Sequence, residues 1–240
     1  MLSRIVRIFE AFGPDAPALR VSEIARRSGL HVATASRLVN ELIRYGWLQR
    51  DADGIRVGVR MWELALRASP TLSLREAAMP YMEDLHAVVG HHTQLGVLEG
   101  EEVLFLERLS APESVVNFTR IAGRLPLHVS SAGLVLLAHA PADLQERVLS
   151  APLRRYRAAV TEPRRLRAML AEIRRVGYSY CPGFIDERAT GIAVPVRGPG
   201  GEVVAALAVV VPNDAGARTQ VPALLAAARG ISRRIGETVR

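Results

Sequence analysis

The chain has 240 residues, 49% of them hydrophobic, which is enough to bury the cores of a small and a medium-sized domain and excludes general disorder. A single cysteine, Cys181, excludes an intrachain disulfide framework and a cysteine-based metal cluster, and the sequence has neither a membrane-length apolar run nor a signal-peptide pattern, so the cytoplasm is the expected location. The net charge is +7, every basic residue is Arg, and residues 1–60 hold 10 Arg against 6 acidic residues. This excess is a weak electrostatic signal of a polyanionic partner, and a solvated basic surface without a partner explains the charge about equally well.

The first quarter of the chain predicts three short helices followed by a β-hairpin. Apolar residues at three- and four-residue steps predict a helix over 2–12, which the prolines of "GPDAPA" end. A second helix covers "RVSEIARRSG", with Ser22 as its expected N-cap, and a third covers "VATASRLVNELIRYG" after a turn at Gly29. "WLQRDADGIRVG" predicts two strands around an Asp-Gly turn. This order is that of a winged helix-turn-helix, which binds DNA but whose helical geometry also occurs in purely structural domains.

The remainder predicts a linker and a larger region of mixed helices and strands. Residues 59–68 predict a connecting helix, and "SPTLS" at 69–73 predicts a break and a domain boundary. Beyond it, "HHTQLGVLEGEEVLFLERLS" is typical of a hairpin and "SVVNFTRIAG" of one more strand, and three helical segments follow. "TGIAVPVRGPGGEVVAALAVVVP" predicts two apolar strands around a tight turn, and a helix over about 219–236 closes the chain. The expected class is α+β with a mostly antiparallel sheet.

Four segments carry a resemblance to a known family. They are "SEIARRSGLHVATASRLVNELIRYGWLQRD", "GRLPLHVSSAGLVLLA" at 123–138, "LAEIRRVGYSY" at 170–180 and "GIAVPVRGPGGEVVAALAVVVP" at 191–212. In this order and spacing the chain resembles the isocitrate-lyase-regulator (IclR) family of bacterial transcription factors. The resemblance implies a winged helix-turn-helix DNA-binding domain at 1–58, a linker helix at 59–72, and an effector-binding and dimerisation domain with a GAF-like fold at 73–240. It also implies homodimers, often assembled into tetramers, on a palindromic operator in double-stranded DNA.

The third helix is the expected recognition helix, because the second helix of the motif enters the major groove. Its Arg37 is suited to pairing with guanine. Val32 and Ala33 are apolar where the family often has polar residues, so contacts to thymine methyl groups are expected. The acidic residues Asp51 and Asp53 make the tip of the wing a poor phosphate anchor. The predicted DNA-binding residues are Ser22, Arg26, His31, Val32, Ala33, Thr34, Ser36, Arg37, Asn40, Arg50 and Arg56.

The resemblance places a small organic acid between the sheet and the start of the helix at "SSAG", where free backbone N–H groups favour a carboxylate. Relatives can carry polar side chains on the facing strands. This chain has Gly191, Ala208 and Val210 there, which favours a larger, partly apolar ligand such as an aromatic acid. The predicted effector-binding residues are Leu104, Phe118, Leu127, Ser130, Ser131, Ala132, Gly133, Cys181, Phe184, Asp186, Gly191, Ala208 and Val210.

Two other classes of function stay open on sequence alone. A hydrolase-like enzyme would use Ser130 or Ser131, but the sequence has no G-x-S-x-G elbow and no paired base. The other alternative is a ligand-binding protein with weak or lost DNA binding, in which only the effector-binding domain is functional. The histidines at 86, 91 and 92 do not have the spacing of a metal site, so neither a metal nor a cofactor is expected.

Overall fold

The computed structural model describes residues 1–13, 16–68, 70–112, 114–115 and 117–238, and the chain divides into two compact units, Met1–Leu72 and Ser73–Arg240. Within the described residues, no helix is both long and apolar enough to cross a membrane. The elements of the first unit, in chain order, are α1 (Leu2–Glu10), α2 (Val21–Ser28), α3 (Val32–Arg44), β1 (Leu48–Asp51), β2 (Gly54–Val57) and α4 (Val59–Ala68).

The first unit is a winged helix-turn-helix built on one apolar core. Ile8 of α1, Ile24 of α2 and Leu38 of α3 are buried together with Leu48 and Ile55 of the antiparallel wing strands. Gly29 ends α2 at a φ of 63°, a left-handed conformation that glycine adopts without strain. This residue turns the chain so that α3 packs across α2 and presents its opposite face outward.

The prediction that Ser22 caps α2 is wrong. Arg20 occupies the N-cap position and makes no side-chain cap bond, and the helix begins at Val21. Leu19 and Ile55 exchange two backbone hydrogen bonds of 2.9 Å, which keep the chain extended up to Arg20. Because Val21 packs against the core, the helix starts one residue before the predicted cap, and Ser22 lies exposed in its first turn.

The second unit is an antiparallel sheet with helices on both faces. Helix α5 (Pro70–Val89) leads into it and contains the division between the units. The strands lie in the order β5-β4-β3-β8-β7-β6. They are β3 (His92–Glu99), β4 (Glu102–Leu109), β5 (Arg124–Pro126), β6 (Ser179–Pro182), β7 (Ala189–Arg197) and β8 (Val203–Pro212). The helices are α6 (Ser131–His139), α7 (Ala142–Ser150), α8 (Pro163–Val176) and α9 (Val221–Thr238), with 3-10 turns at Leu127–Val129 and Ala217–Gln220.

Each face of the sheet has its own core, because side chains alternate along a strand. Ala193 and Ala208 face α6 and α8, whereas Val194 and Leu207 face α5 and α9. Burial on both sides explains why β8 is an almost continuous apolar run. Helix α6 is itself buried along nearly its whole length and packs over β7, β8 and β3, so its first turn comes close to the strands.

Two further predictions about the elements are wrong. Residues 117–123 form no strand, since Asn117 accepts hydrogen bonds from the backbone and hydroxyl of Thr119 and turns the chain locally. The predicted break at "SPTLS" is helical from Pro70 onward, because α5 begins at that proline, a residue that the first position of a helix tolerates. The division between the two units nevertheless falls within this segment, after Leu72. Pro14 of "GPDAPA", Ser69 and Val116 lie outside the described residues.

Candidate functional site

Helix α3 presents an outward surface that the core does not use. Ala35, Leu38, Val39 and Leu42 are buried on its inner side. The opposite side carries the predicted recognition residues, which are exposed or half-exposed. We call them the α3 surface: His31, Val32, Ala33, Thr34, Ser36, Arg37 and Asn40. Val32 is 54% exposed, which leaves its methyl groups free for contact.

The arginines around this surface differ in how firmly they are held. Arg37 has a loose, exposed ion pair with Glu41 at 3.7 Å. Arg50 on β1 donates a 3.3 Å hydrogen bond to the Asn40 Oδ1 atom and so joins the wing to α3. Of these two arginines, Arg37 has the weaker internal contact and can more easily turn toward a phosphate or a base.

Two other predicted contacts are already engaged within the unit. Arg56 pairs with Asp51 at 2.6 Å and with Asp53 at 2.8 Å across the wing. Arg26 pairs with Glu23 at 2.6 Å, and the hydrogen bonds from Arg26 and Arg27 lower the pKa of Glu23 to about 2. Because these ion pairs already engage both guanidinium groups, Arg56 and Arg26 contribute less free positive charge than the sequence alone indicates.

The second unit holds a cavity between the start of α6, the sheet and two loops. It contains about 500 Å³ of space not occupied by atoms, part of it open to solvent. Three aromatic side chains, Phe105, Phe118 and Phe184, form much of its apolar wall. Its full lining is Gln94, Phe105, Asn117, Phe118, Thr119, Val129, Ser130, Ser131, Ala132, Cys181, Phe184, Ile185, Asp186, Ala189, Gly191 and Val210.

Nine of the thirteen predicted effector-binding residues lie on this wall: Phe118, Ser130, Ser131, Ala132, Cys181, Phe184, Asp186, Gly191 and Val210. Four others do not. Leu104 packs against the core on the other face of the sheet, as alternation along β4 requires. Leu127 and Ala208 are buried within the core beneath α6. Gly133 packs against the backbone of Leu127, where a Cβ would come within 2.4 Å of the Leu127 carbonyl oxygen.

Sequence reasoning missed seven lining residues: Gln94, Phe105, Asn117, Thr119, Val129, Ile185 and Ala189. Only Gln94 carried a usable signal. It is a large polar residue in the middle of β3, whose inner positions from His92 to Val97 are all buried. Asn117 and Thr119 fall on the segment that we predicted to be a strand, and that error hid their turn.

The first turn of α6 lines the cavity with Ser130, Ser131 and Ala132. The Ser130 side chain caps the helix by accepting from the Gly133 N–H at 3.0 Å. The N–H groups of Ser131 and Ala132 are those that a helix leaves without an intrahelical partner. Gly191 lies against this turn, since a Cβ on it would come 2.8 Å from the Ser131 Oγ atom. The glycine therefore permits the close approach of helix and strand.

Two titratable groups on the wall have altered acidity. Hydrogen bonds from Arg188 lower the pKa of Asp186 to about 2, so this carboxylate is ionised and paired at neutral pH. Burial raises the pKa of the Cys181 thiol, so it stays protonated. Neither group is placed to act as a base, and within the described residues no cluster of His, Cys, Asp or Glu could hold a metal ion.

Two amide nitrogens on the wall, the Gln94 Nε2 and Asn117 Nδ2 atoms, are buried without a hydrogen-bond partner. Buried polar groups are normally paired, so each such atom calls for an explanation. By contrast, His128 is satisfied, since its Nε2 atom lies 2.9 Å from the Arg154 carbonyl oxygen, and it does not line the cavity.

Comparison with known proteins places both units. Residues 67–236 match the family model for the bacterial transcriptional regulator IclR C-terminal domain, and residues 1–52 match the IclR helix-turn-helix domain. An IclR homolog from Microbacterium hydrocarbonoxydans, crystallised with 4-hydroxybenzoate, is 50% identical with a TM-score of 0.94, over 98% of each chain.

Curated relatives include the transcriptional regulators BhcR of Paracoccus denitrificans, 31% identical over 89% of this chain and 80% of its own, and XynR of Escherichia coli, 27% identical over 86% and 83%. These relatives are regulators, and nothing among them supports the hydrolase alternative. The family matches agree with the fold: one covers the helix-turn-helix with its exposed α3 surface, and the other covers the antiparallel second unit. The chain belongs to the IclR family of DNA-binding transcriptional regulators.

Proposed function

We propose that this regulator changes its affinity for its operator when an aromatic acid binds in the cavity of the second unit. Residues 1–58 would read the DNA, 59–72 would link, and 73–240 would bind the effector and dimerise. The observation that carries the proposal is the combination of aromatic walls with the α6 first turn. The 4-hydroxybenzoate bound to the Microbacterium homolog supports this ligand class.

The expected binding mode follows from the cavity's polarity. The ligand's carboxylate accepts hydrogen bonds from the N–H groups of Ser131 and Ala132, where the helix dipole favours negative charge. Its ring lies between the phenylalanines. Asp186 does not oppose the ligand's charge strongly, because Arg188 neutralises it at 3.0 Å.

On the DNA, two copies of the α3 surface would occupy successive major grooves of a palindromic site in a homodimer, and tetramers would be the higher assembly. This activity belongs in the cytoplasm, where the genome is accessible. Arg37 and Asn40 supply the polar contacts, and Val32 and Ala33 the apolar ones.

A gel-shift titration tests the proposal. The DNA is the region upstream of the protein's own gene and its neighbours, with and without 4-hydroxybenzoate. We expect saturable binding that the ligand shifts at least severalfold in one direction. Binding that falls steeply with salt separates real phosphate contacts from a protein that has lost DNA recognition. Absence of DNA binding at low salt would refute the regulatory part, and an unchanged affinity with ligand would refute the effector part.

A further inference from the structure

Two unpaired amide nitrogens mark a second polar end of the cavity. Gln94 is 2% exposed, and its Nε2 atom has no partner. The Asn117 Nδ2 atom is likewise buried and unpaired. Both residues line the cavity. Leaving such donors unsatisfied is unfavourable, so a ligand that supplies an acceptor gains from both.

The orientation of the Asn117 amide is set by its neighbours. The Asn117 Oδ1 atom accepts from the Thr119 backbone N–H at 3.0 Å and from the Thr119 hydroxyl at 2.8 Å. A backbone N–H can only donate, so oxygen must occupy that position and the amide nitrogen must be the free end. Arg108 in turn donates to the Thr119 carbonyl oxygen, which holds the turn against β4. A hydrogen-bonded turn therefore fixes the position of the Asn117 amide donor.

This end lies across the cavity from the first turn of α6. Ser131 abuts Gly191 on β7, whereas Gln94 is on β3. Strand β8 separates the two, with Gly191 paired to Val210 and Gln94 paired to Ala208. Since neighbouring strands are about 4.8 Å apart, β7 and β3 are roughly 10 Å apart. Asn117 belongs to the same end as Gln94, because Arg108, which holds its turn, is the cross-strand partner of Gln94.

We propose that Gln94 and Asn117 are specificity-determining residues that select aromatic acids with a hydroxyl group opposite the carboxylate. Resting on the proposed function, this inference gives each end of the ligand a partner. The two amide N–H groups donate to the hydroxyl oxygen. The Thr119 hydroxyl, which donates to Asn117, retains lone pairs that accept the ligand's O–H.

A series of ligands on the wild-type protein, followed by isothermal titration calorimetry, tests the proposal. The ligands are 4-hydroxybenzoate, 3-hydroxybenzoate, benzoate and 4-methylbenzoate. The methyl group of 4-methylbenzoate fills the space of the hydroxyl but offers no polar atom at that position. We expect 4-hydroxybenzoate to bind about tenfold or more tightly than 4-methylbenzoate, because the latter leaves both amides unpaired. We expect 3-hydroxybenzoate to lose most of that advantage.

A substitution at Gln94 tests whether this residue causes the preference for the hydroxyl group. Gln94→Met keeps the length of the side chain and removes the donor, so the preference for 4-hydroxybenzoate over 4-methylbenzoate should fall by roughly fivefold to tenfold. The matched control is Ile185→Val, a trimmed apolar residue on the same wall, which should weaken both ligands by a similar factor.

The outcomes separate this inference from the proposed function. Equal binding of 4-hydroxybenzoate and 4-methylbenzoate to the wild-type protein overturns the inference and leaves the effector class intact. Binding of neither overturns both. A wild-type preference that survives unchanged in Gln94→Met removes Gln94 from the assignment. Should that variant fail to fold, the ligand series alone still decides whether a hydroxyl is read.

Discussion

Single residues decide how much each predicted contact contributes. Arg37 and Arg56 are both predicted from the sequence to contact DNA. In the structure Arg37 has one loose ion pair at 3.7 Å, whereas Arg56 has two close ion pairs. Exposed pairs contribute little to stability, so Arg37 is free to serve another partner. Two predicted effector-binding glycines differ as well. Gly191 lies on the cavity wall, whereas Gly133 packs against the backbone of Leu127.

The first prediction concerns Arg37. We expect Arg37→Ala to weaken operator binding roughly tenfold or more, with no change in thermal stability. Arg56→Ala should weaken it less, because Asp51 and Asp53 already hold that side chain. Fluorescence anisotropy with labelled operator measures both affinities. An equal loss in the two variants would contradict the ranking.

The second prediction concerns Cys181. The thiol is 2% exposed, and burial raises its pKa, so little thiolate forms near neutral pH. We expect alkylation by iodoacetamide to be slow in the folded protein and fast in denaturant, with a bound effector slowing it further. Mass spectrometry over time gives the rates. Rapid alkylation of the native protein would show a reactive thiol instead.

Elements are joined by a few buried polar contacts. Glu107 on β4 is buried and accepts a 2.7 Å hydrogen bond from the Arg75 Nε atom on α5. His92 on β3 contacts the Ser110 Oγ atom at 3.0 Å and the Val115 carbonyl oxygen at 2.6 Å, which ties the strand to the segment after β4. These contacts tie α5 to one face of the sheet and the segment after β4 to strand β3.

The third prediction tests the tie between α5 and β4. Arg75→Ala leaves the buried Glu107 carboxylate without its cation, and we expect a loss of about 1–3 kcal/mol in the free energy of unfolding. Arg147→Ala removes an exposed pair with Asp143 and should leave stability unchanged. Urea denaturation of both variants gives the comparison. Equal stability of the two would show that the buried pair is dispensable.

The fourth prediction is a pH dependence. Burial lowers the pKa of His92 and of His139 below their ordinary value of 6.5. Between the folded and unfolded pKa values the unfolded chain binds more protons, so this contribution to stability is complete above pH 6.5 and is lost as the pH falls through the lower folded values. Thermal melts from pH 8 to 5 measure it. The double variant His92→Gln, His139→Gln should show a flatter curve, and an unchanged slope would contradict the assignment.

At the scale of the whole molecule, regulation requires that effector and operator each change the other's affinity by the same factor. The fifth prediction is therefore reciprocal. If 4-hydroxybenzoate shifts the operator Kd by some factor, saturating operator should shift the ligand Kd by that factor in calorimetry. The ligand alone at 100 times its Kd should stabilise the fold by about 2.7 kcal/mol. Unequal factors would show that the two measurements do not report one equilibrium.

The order of elements could be predicted because its signals are local. Periodic apolar residues marked α3, and the Asp-Gly turn marked the wing. The strand expected at "SVVNFTRIAG" failed because a side-chain contact between Asn117 and Thr119 outweighs its β-forming composition. The cap expected at Ser22 failed because a backbone pairing with Ile55, distant in sequence, sets where α2 begins.

The sequence by itself determined the class of protein: a winged helix-turn-helix, an antiparallel α+β unit and the segments typical of the family. Only the tertiary structure decided which residues meet at the cavity. Leu104 and Phe105 are adjacent in sequence but lie on opposite faces of the sheet, and only Phe105 reaches the cavity. Gln94 and Asn117 come together through strand pairing and a turn. Local patterns specify elements because their causes are local, whereas a binding site depends on contacts between residues far apart in the chain.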